Sequence, residues 1–316
     1  VGKRSLSGLD VAGKRVLVRV DFNVPIEQGI ETLASYDHRL RATLPTILYL
    51  LERDCHVILC SHLGRPGGKV VEQLRLRPVG DRLAELLKKP VHSLTECVGE
   101  EVQAALSGMD RGQVALLENL RFHPGEESND SQFAASLAAL AECFVMDAFG
   151  VAHRAHASTF GVAERLPIKV SGYVIARELK YLGEKTAQPG RPFVVILGGA
   201  KVSDKIQVID ALLEKADTLI VGGAMAYTFA LAEGRKVGNS LCETDKVEMA
   251  KAALAKAAEK GVKFLLPVDN LITDSLDFDA KALGETQVVR ANVPDGWEGV
   301  DVGPETAELF AAEVAQ

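Results

Sequence analysis

The chain is 316 residues long and 47% hydrophobic, too long for one ordinary core, so two domains are expected. Its 43 acidic residues exceed its 36 basic ones, and the formal net charge of -7 argues against general binding to nucleic acid or to anionic membranes. No apolar run reaches membrane-span length and Val1-Gly2-Lys3-Arg4 does not open a signal peptide, so a cytoplasmic protein is expected. The cysteines at 55, 60, 97, 143 and 242 are odd in number and lack CxxC spacing. They read as free thiols of a reducing compartment, mostly buried as small hydrophobes.

In chain order, apolar runs predict strands at 16–24, 56–61, 114–119, 143–148, 193–197, 218–223 and 263–269. Helix-period stretches predict helices at 38–52, 79–88, 131–142, 204–215 and 245–260. Continuous Val/Ile/Leu strands alternating with amphipathic helices imply parallel sheets covered on both faces. Residues 176–184 read as an exposed helix and 186–192 as a turn-rich linker. The expected division is an α/β unit over 1–175, a connecting helix and linker over 176–191, and a second α/β unit over 192–316, with a cleft between the units.

Four predicted strands of the first unit end in cationic or amide side chains. Arg19-Val20-Asp21-Phe22-Asn23-Val24-Pro25 leaves the first, with Asp21 and Asn23 on one side of its end. That arrangement serves equally as an Asx-type turn closing a strand. Ser61-His62-Leu63-Gly64-Arg65-Pro66-Gly67-Gly68 follows the second; its glycines permit close backbone approach and Arg65 offers a planar donor fork. Glu118-Asn119-Leu120-Arg121-Phe122 follows the third. Ala152-His153-Arg154-Ala155-His156 follows the fourth and packs two imidazoles and a guanidinium into five positions. In a parallel sheet these ends share one edge, where open α/β sheets bind ligands. His62, Arg65, Arg121, His153, Arg154 and Arg39 from the early helix would line a basic pocket suited to a ligand with phosphate and carboxylate. The plainer reading pairs several of them with local acids such as Glu118 and Asp147, and His156 reads as a structural hydrogen-bonder.

In the second unit, 193–205 reads as strand, Gly198-Gly199 turn, then helix, a ready anion site at a helix N-terminus. Lys201 and Lys205, four apart, are expected on one helix face. Neither GxxxxGK[ST] nor GxGxxG is present. Gly222-Gly223-Ala224 after the next strand could let a flat base lie against the backbone, or could simply allow tight strand–helix packing.

The strings RVDFNVP, SHLGRP, ENLRF, DAFG-AHRAH, LGGAKVSDK and GGAMAYTF, in this order and spacing, resemble phosphoglycerate kinases along essentially the whole chain. The resemblance implies two doubly wound parallel-sheet α/β domains joined by a helix, here with the second domain incomplete. It implies phosphoryl transfer between 1,3-bisphosphoglycerate and ADP, giving 3-phosphoglycerate and Mg-ATP, in a monomer that closes about a hinge. Carried over motif by motif, Asp21, Asn23, Arg39, His62, Arg65, Arg121 and Arg154 form the phosphoglycerate site, supported by His153. Gly198, Gly199, Lys201, Lys205, Gly222, Gly223 and Gly299 lie along the nucleotide. Arg39 and Lys201 are expected to stabilise the phosphoryl group in flight, and Mg2+ to enter with ATP or ADP rather than on a protein metal site. The alternatives are a non-catalytic module holding an anionic metabolite and, more distantly, a different α/β kinase of another phosphorylated acid.

Met146 and Ala224 stand where many members carry Asn and a third glycine, and 30–38 departs from the usual acidic run before the arginine. Family members continue beyond the position of Gln316 with a strand, an Asn-Gly-Pro turn, a glutamate near the ribose and a Gly-Gly-Asp-Ser/Thr loop. A polypeptide of these 316 residues alone is therefore expected to leave an unpaired apolar edge in the second sheet. It is also expected to bind 3-phosphoglycerate with negligible kinase activity.

Overall fold

The computed structural model describes residues 5–25, 30–277 and 279–315, without the side chains of 30–32 and 184; the signal-peptide reading of residues 1–4 lies outside these. The chain divides into two compact units, Val1–Gly183 and Glu184–Gln316.

The first unit carries strands β1 (Arg15–Arg19), β2 (His56–Cys60), β3 (Val91–Ser93), β4 (Val114–Leu116), β5 (Cys143–Met146) and β6 (Ile168–Ser171). They pair in the order β3-β4-β2-β1-β5-β6, all parallel. Its helices are α1 (His38–Leu51), α2 (Arg77–Leu87), α3 (Glu100–Ser107), α4 (Pro124–Glu127), α5 (Ser131–Ala138), α6 (Val162–Arg165) and α7 (Tyr173–Glu178). Strand alternation explains why β1 is apolar over its three central residues, Val16 to Val18. Val16 and Val18 pack with Ile47 and Leu50 of α1 and Leu83 of α2. Leu17 between them faces the opposite side, with Val102 of α3 and Phe133 of α5. Both faces are covered, so neither can be polar.

The strands stop earlier than the apolar runs do. β1 ends at Arg19 because the next polar side chains capture backbone: Asn23 N donates to Asp21 Oδ1 at 3.2 Å, and Gly64 N to Asn23 Oδ1 at 2.8 Å. β3 and β6 were not anticipated; each is short and interrupted by His92, Ser93, Lys169 or Ser171. α7 begins where the Asp147 carboxylate, at the exit of β5, accepts from Val174 N at 2.8 Å and Ile175 N at 3.4 Å. It continues over Leu179–Lys185 in the wider π form, and the boundary between the units falls there.

The second unit has a parallel sheet of β7 (Val194–Leu197), β8 (Thr218–Val221) and β9 (Lys263–Leu265), in that order. Helices α8 (Ile206–Leu213), α9 (Met225–Ala232) and α10 (Val247–Lys260) cover one face through Ile209, Phe229 and Ala253. β7 is an edge strand, and its Ile196 is 65% exposed. The apolar run at 263–269 divides at Pro267, which cannot donate to a ladder, and its last residue opens a different sheet. That sheet is antiparallel and was not foreseen. β10 (Asp269–Thr273) lies between β13 (Thr286–Arg290) and β14 (Glu298–Val302), with the short pair β11 (Leu276–Asp277) and β12 (Ala282–Leu283) beside it in sequence. Asp269 caps α11 (Pro304–Val314) by accepting from Glu305 N at 3.0 Å and Thr306 N at 2.8 Å.

Candidate active site

In the first sheet the chain moves outward from β1 through β2, then returns to β5 on the other side. Such a reversal opens a crevice beyond the carboxyl ends of the strands. A cavity of about 500 Å³ lies there, lined by Asn23, His62, Gly64, Arg65, Arg121 and Arg154 among others. The exits of β1, β2, β4 and β5 thus meet in one basic pocket.

Asn119, fully buried, holds two of these exits together. Its Oδ1 accepts from Leu63 N and from Arg121 N, each at 3.1 Å, and its Nδ2 donates to Leu63 O at 2.8 Å. This role was not assigned from sequence; the signal available was an amide directly after a strand of apolar residues. Arg121 is 6% exposed, donates from Nη1 to Gly64 O at 2.8 Å, and pairs through Nε with Glu127 at 3.0 Å. Burial pulls its pKa below the ordinary value; Glu127 opposes the change and the like charges of Arg154 and Arg19 add to it. Gly64 sits at φ +63, and a Cβ there would come within 2.8 Å of the Leu74 side chain, so the turn carrying Arg65 needs glycine.

His62 is 4% exposed, and burial pushes its pKa down to about 2, helped by Arg19, Arg121, Arg154 and Arg39. It is a neutral imidazole among guanidinium groups. Glu118 and Asp147 do not neutralise the pocket arginines. Glu118 instead accepts from Arg75 Nη1 at 2.9 Å and Leu76 N at 2.9 Å, and Asp147 caps α7.

Three expected members are arranged differently. Asp21 and Arg39 do not line this cavity; Arg39 Nη1 donates to Asp21 Oδ2, and the pair stands beside it. His153 also does not line it. It faces a separate depression of about 360 Å³ with Phe160 and Lys169, and Arg154 borders both. The residues of 152–155 are exposed, so the loop turns alternate side chains apart. His156 is half-buried with Nδ1 3.8 Å from Glu126, which fits its structural reading.

In the second unit, the turns after β7 and β8 touch. Gly223 has φ +68, and a Cβ there would lie 3.0 Å from Gly199 O and 3.1 Å from Gly199 N. Gly199 O also accepts from Met225 N at 2.9 Å, and Gly222 N donates to Leu197 O at 2.8 Å. Next to these turns is a cavity of about 510 Å³ lined by Gly223, Ala224, Tyr227, Leu276, Glu298 and Gly299 among others. Gly198, Gly199, Gly222, Lys201 and Lys205 border the glycine turns rather than that cavity.

The shared helix face expected for Lys201 and Lys205 is not present. α8 begins at Ile206, and 201–205 is a turn. The Glu243 carboxylate holds that turn, accepting from Ser203 N at 2.9 Å and Ser203 Oγ at 2.6 Å; this competes with helical backbone bonding. Lys201 is exposed, and Lys205 Cε lies 3.8 Å from the Cβ direction of Gly199. Sequence reading missed Tyr227 and Glu243. A Cβ on Gly299 would fall 1.8 Å from Tyr227 Oη, so that glycine is the room the phenol occupies. Burial pushes the Tyr227 hydroxyl up to about 12, with Asp301 adding to the effect. Among the described residues, no group of three or more His, Cys, Asp or Glu is placed to hold a metal ion, and no helix is long and apolar enough to cross a membrane.

A family model described as phosphoglycerate kinase matches residues 6–316. The phosphoglycerate kinase of Microcystis aeruginosa is 55% identical over 307 residues, which cover 97% of this chain and 75% of that protein. The phosphoglycerate kinase of Rippkaea orientalis is 55% identical over 311 residues, covering 98% and 76% respectively. The solved structure of phosphoglycerate kinase from Coxiella burnetii superposes with a TM-score of 0.80 at 38% identity, over 100% of this chain and 78% of that one. With the family model, the sequence relatives and the fold in agreement along the chain, it belongs to the phosphoglycerate kinase family.

Proposed function

We propose that this protein catalyses reversible phosphoryl transfer between 1,3-bisphosphoglycerate and ADP, forming 3-phosphoglycerate and ATP. The observation that carries the reading is the basic pocket at the carboxyl edge of the first sheet, in a chain of this family. His62, Arg65, Arg121 and Arg154 take the phosphate of phosphoglycerate, since planar guanidinium forks match its oxygens. Asp21 and Asn23 supply acceptors and a donor for the glycerate hydroxyl and carboxyl end. The nucleobase and ribose occupy the cavity beside Gly223, Tyr227 and Gly299, and the phosphates run toward the turn of Gly198, Gly199, Lys201 and Lys205. Mg2+ enters on the nucleotide as part of that substrate.

Phosphoryl transfer asks little covalent chemistry of the protein; it needs the donor and acceptor in line and charge compensated in flight. Arg39 and Lys201 supply that compensation. The five cysteines are free thiols, four of them buried, which suits a reducing cytoplasmic compartment. A module that binds an anion without catalysis is not favoured, because the relatives are kinases by name along almost all of this chain.

The test is calorimetry with 3-phosphoglycerate and with Mg-ADP, beside a coupled assay of turnover. Two independent ligands and measurable transfer are expected of a polypeptide that spans the full length of its relatives, whereas residues 1–316 alone are expected to bind 3-phosphoglycerate with negligible transfer. Binding of 3-phosphoglycerate alone by the longer polypeptide, with no transfer, would return the protein to the binding-module reading.

A further inference from the structure

We propose that Arg19, anchored by Ser158 and Glu126, fixes the tautomer of His62 so that the imidazole presents one N–H donor to the basic pocket. Arg19 is thus a positioning residue that acts through His62. The proposal rests on the reading above only for the identity of the anion that meets that donor.

Arg19 is the last residue of β1 and is 1% exposed. Each arm of its guanidinium is engaged. Nε donates to Ser158 Oγ at 2.9 Å, Nη1 donates to the carbonyl of Val20, and Nη2 lies 3.2 Å from His62 Nδ1. A guanidinium has donors and no acceptor. His62 Nδ1 must therefore offer its lone pair. In a neutral imidazole the single proton then sits on Nε2, on the edge left toward the cavity that His62 lines. A doubly protonated ring would set Nδ1–H against the guanidinium N–H.

The anchor behind Arg19 runs the same way. Ser158 is fully buried, gives its hydroxyl proton to Glu126 Oε1 at 2.6 Å, and donates its backbone N–H to Glu126 Oε2 at 3.0 Å. With its proton committed to the carboxylate, the serine oxygen turns a lone pair to Arg19 Nε. Glu126 is 1% exposed and brings the negative charge that offsets the buried guanidinium. Every proton in the row is directed: serine to glutamate, guanidinium to serine and to imidazole, imidazole to the pocket. The charged groups facing the ring are Arg19, Arg121, Arg154 and Arg39, all cationic, and with burial they keep it neutral. An anion therefore meets a donor at Nε2, whereas the other tautomer would oppose it with a lone pair.

The experiment is two-bond 15N–1H correlation spectroscopy of the 15N-histidine-labelled protein, with His62 assigned through a His62→Gln variant. The expected pattern is protonated Nε2 and unprotonated Nδ1, constant between about pH 5.5 and 8. An Nδ1–H pattern, or titration of His62 within that range, overturns the proposal, and this spectrum needs no variant beyond the assignment. Ser158→Ala removes the anchor and is expected to give mixed tautomers and to raise the phosphoglycerate KM about tenfold. Its kcat should stay within about twofold, and Ser158→Thr should restore the single tautomer. A Ser158→Ala protein with one tautomer and unchanged KM also overturns it. Added 3-phosphoglycerate should move the His62 Nε2 resonance. The expected tautomer with no response to that ligand would support the relay and overturn the substrate reading instead.

Discussion

The Arg39 guanidinium donates to the Asp21 carboxylate, joining the first turn of α1 to the exit of β1. The Arg39 side chain is 40% exposed and Asp21 20%. A pair this open adds little to stability, so its effect is orientation: the planar fork is aimed before any ligand arrives. Arg39→Lys keeps the charge and loses the fork. We expect kcat to fall about 10- to 100-fold, with the nucleotide KM nearly unchanged, in steady-state coupled assays.

The basic pocket holds like charges close together, and burial together with those neighbours already lowers the Arg121 pKa. An anion relieves that repulsion. Arg121→Ala and Arg65→Ala should each weaken 3-phosphoglycerate about tenfold or more and spare Mg-ADP, as read by calorimetry. Equal loss of both ligands would contradict a two-site partition. In the unsubstituted protein, 3-phosphoglycerate at a hundred times its Kd should stabilise the folded state by about 2.7 kcal/mol, visible as a rise in Tm.

Gly299 and Gly223 are the places where a single methyl should damage the nucleotide site. Gly299→Ala puts carbon where Tyr227 Oη lies, and Gly223→Ala combines φ +68 with backbone contact at 3.0 Å. The left-handed strain alone costs about 1–2 kcal/mol. Both variants should raise the nucleotide KM while 3-phosphoglycerate affinity, measured by calorimetry, stays as it was. A normal nucleotide KM in Gly299→Ala would show that the cavity beside Tyr227 is not used.

Asp147 is 1% exposed, and its Oδ2 has no hydrogen-bond partner. Burial pushes its pKa from 3.8 up to about 6, against the opposing bonds from Thr46, Ile175 and Val174. The raised value means the folded state favours the neutral carboxyl. Its contribution to stability is therefore fullest below the ordinary carboxylate range and is lost as pH rises through about 6. Asp147→Asn keeps an acceptor for the α7 N–H groups and carries no charge. Relative to the unsubstituted protein it should gain stability between pH 4 and 8, by up to about 3 kcal/mol, measured as the difference in urea midpoints. A difference that stays flat with pH would show the carboxyl to be ordinary.

The sequence by itself determined the parallel α/β character of the first unit and the cationic residues that end its strands. Both are local: an apolar run as short and β-branched as 57–60 reads as a strand buried on two faces, and Arg65, Arg121 and Arg154 follow such runs within a short stretch of chain. Parallel pairing then carries these ends to one edge whatever the loops do, which is why the pocket was legible. The antiparallel sheet of β10, β13 and β14 was not, because its strands mix polar and apolar residues and its outer strands β13 and β14 are largely or partly exposed. Nor was the turn at 201–205, where a carboxylate forty residues away outcompetes the helix.

Only the tertiary structure decided which side chains answer one another. Arg19 meets His62 across 43 positions and Ser158 across 139, while His153, one residue from Arg154, turns into a different depression. Propensity and periodicity report the state of each segment. Register between strands and the direction of a loop depend on closing long stretches of chain, and it was these that turned a group of basic residues into one pocket with a directed donor at its wall.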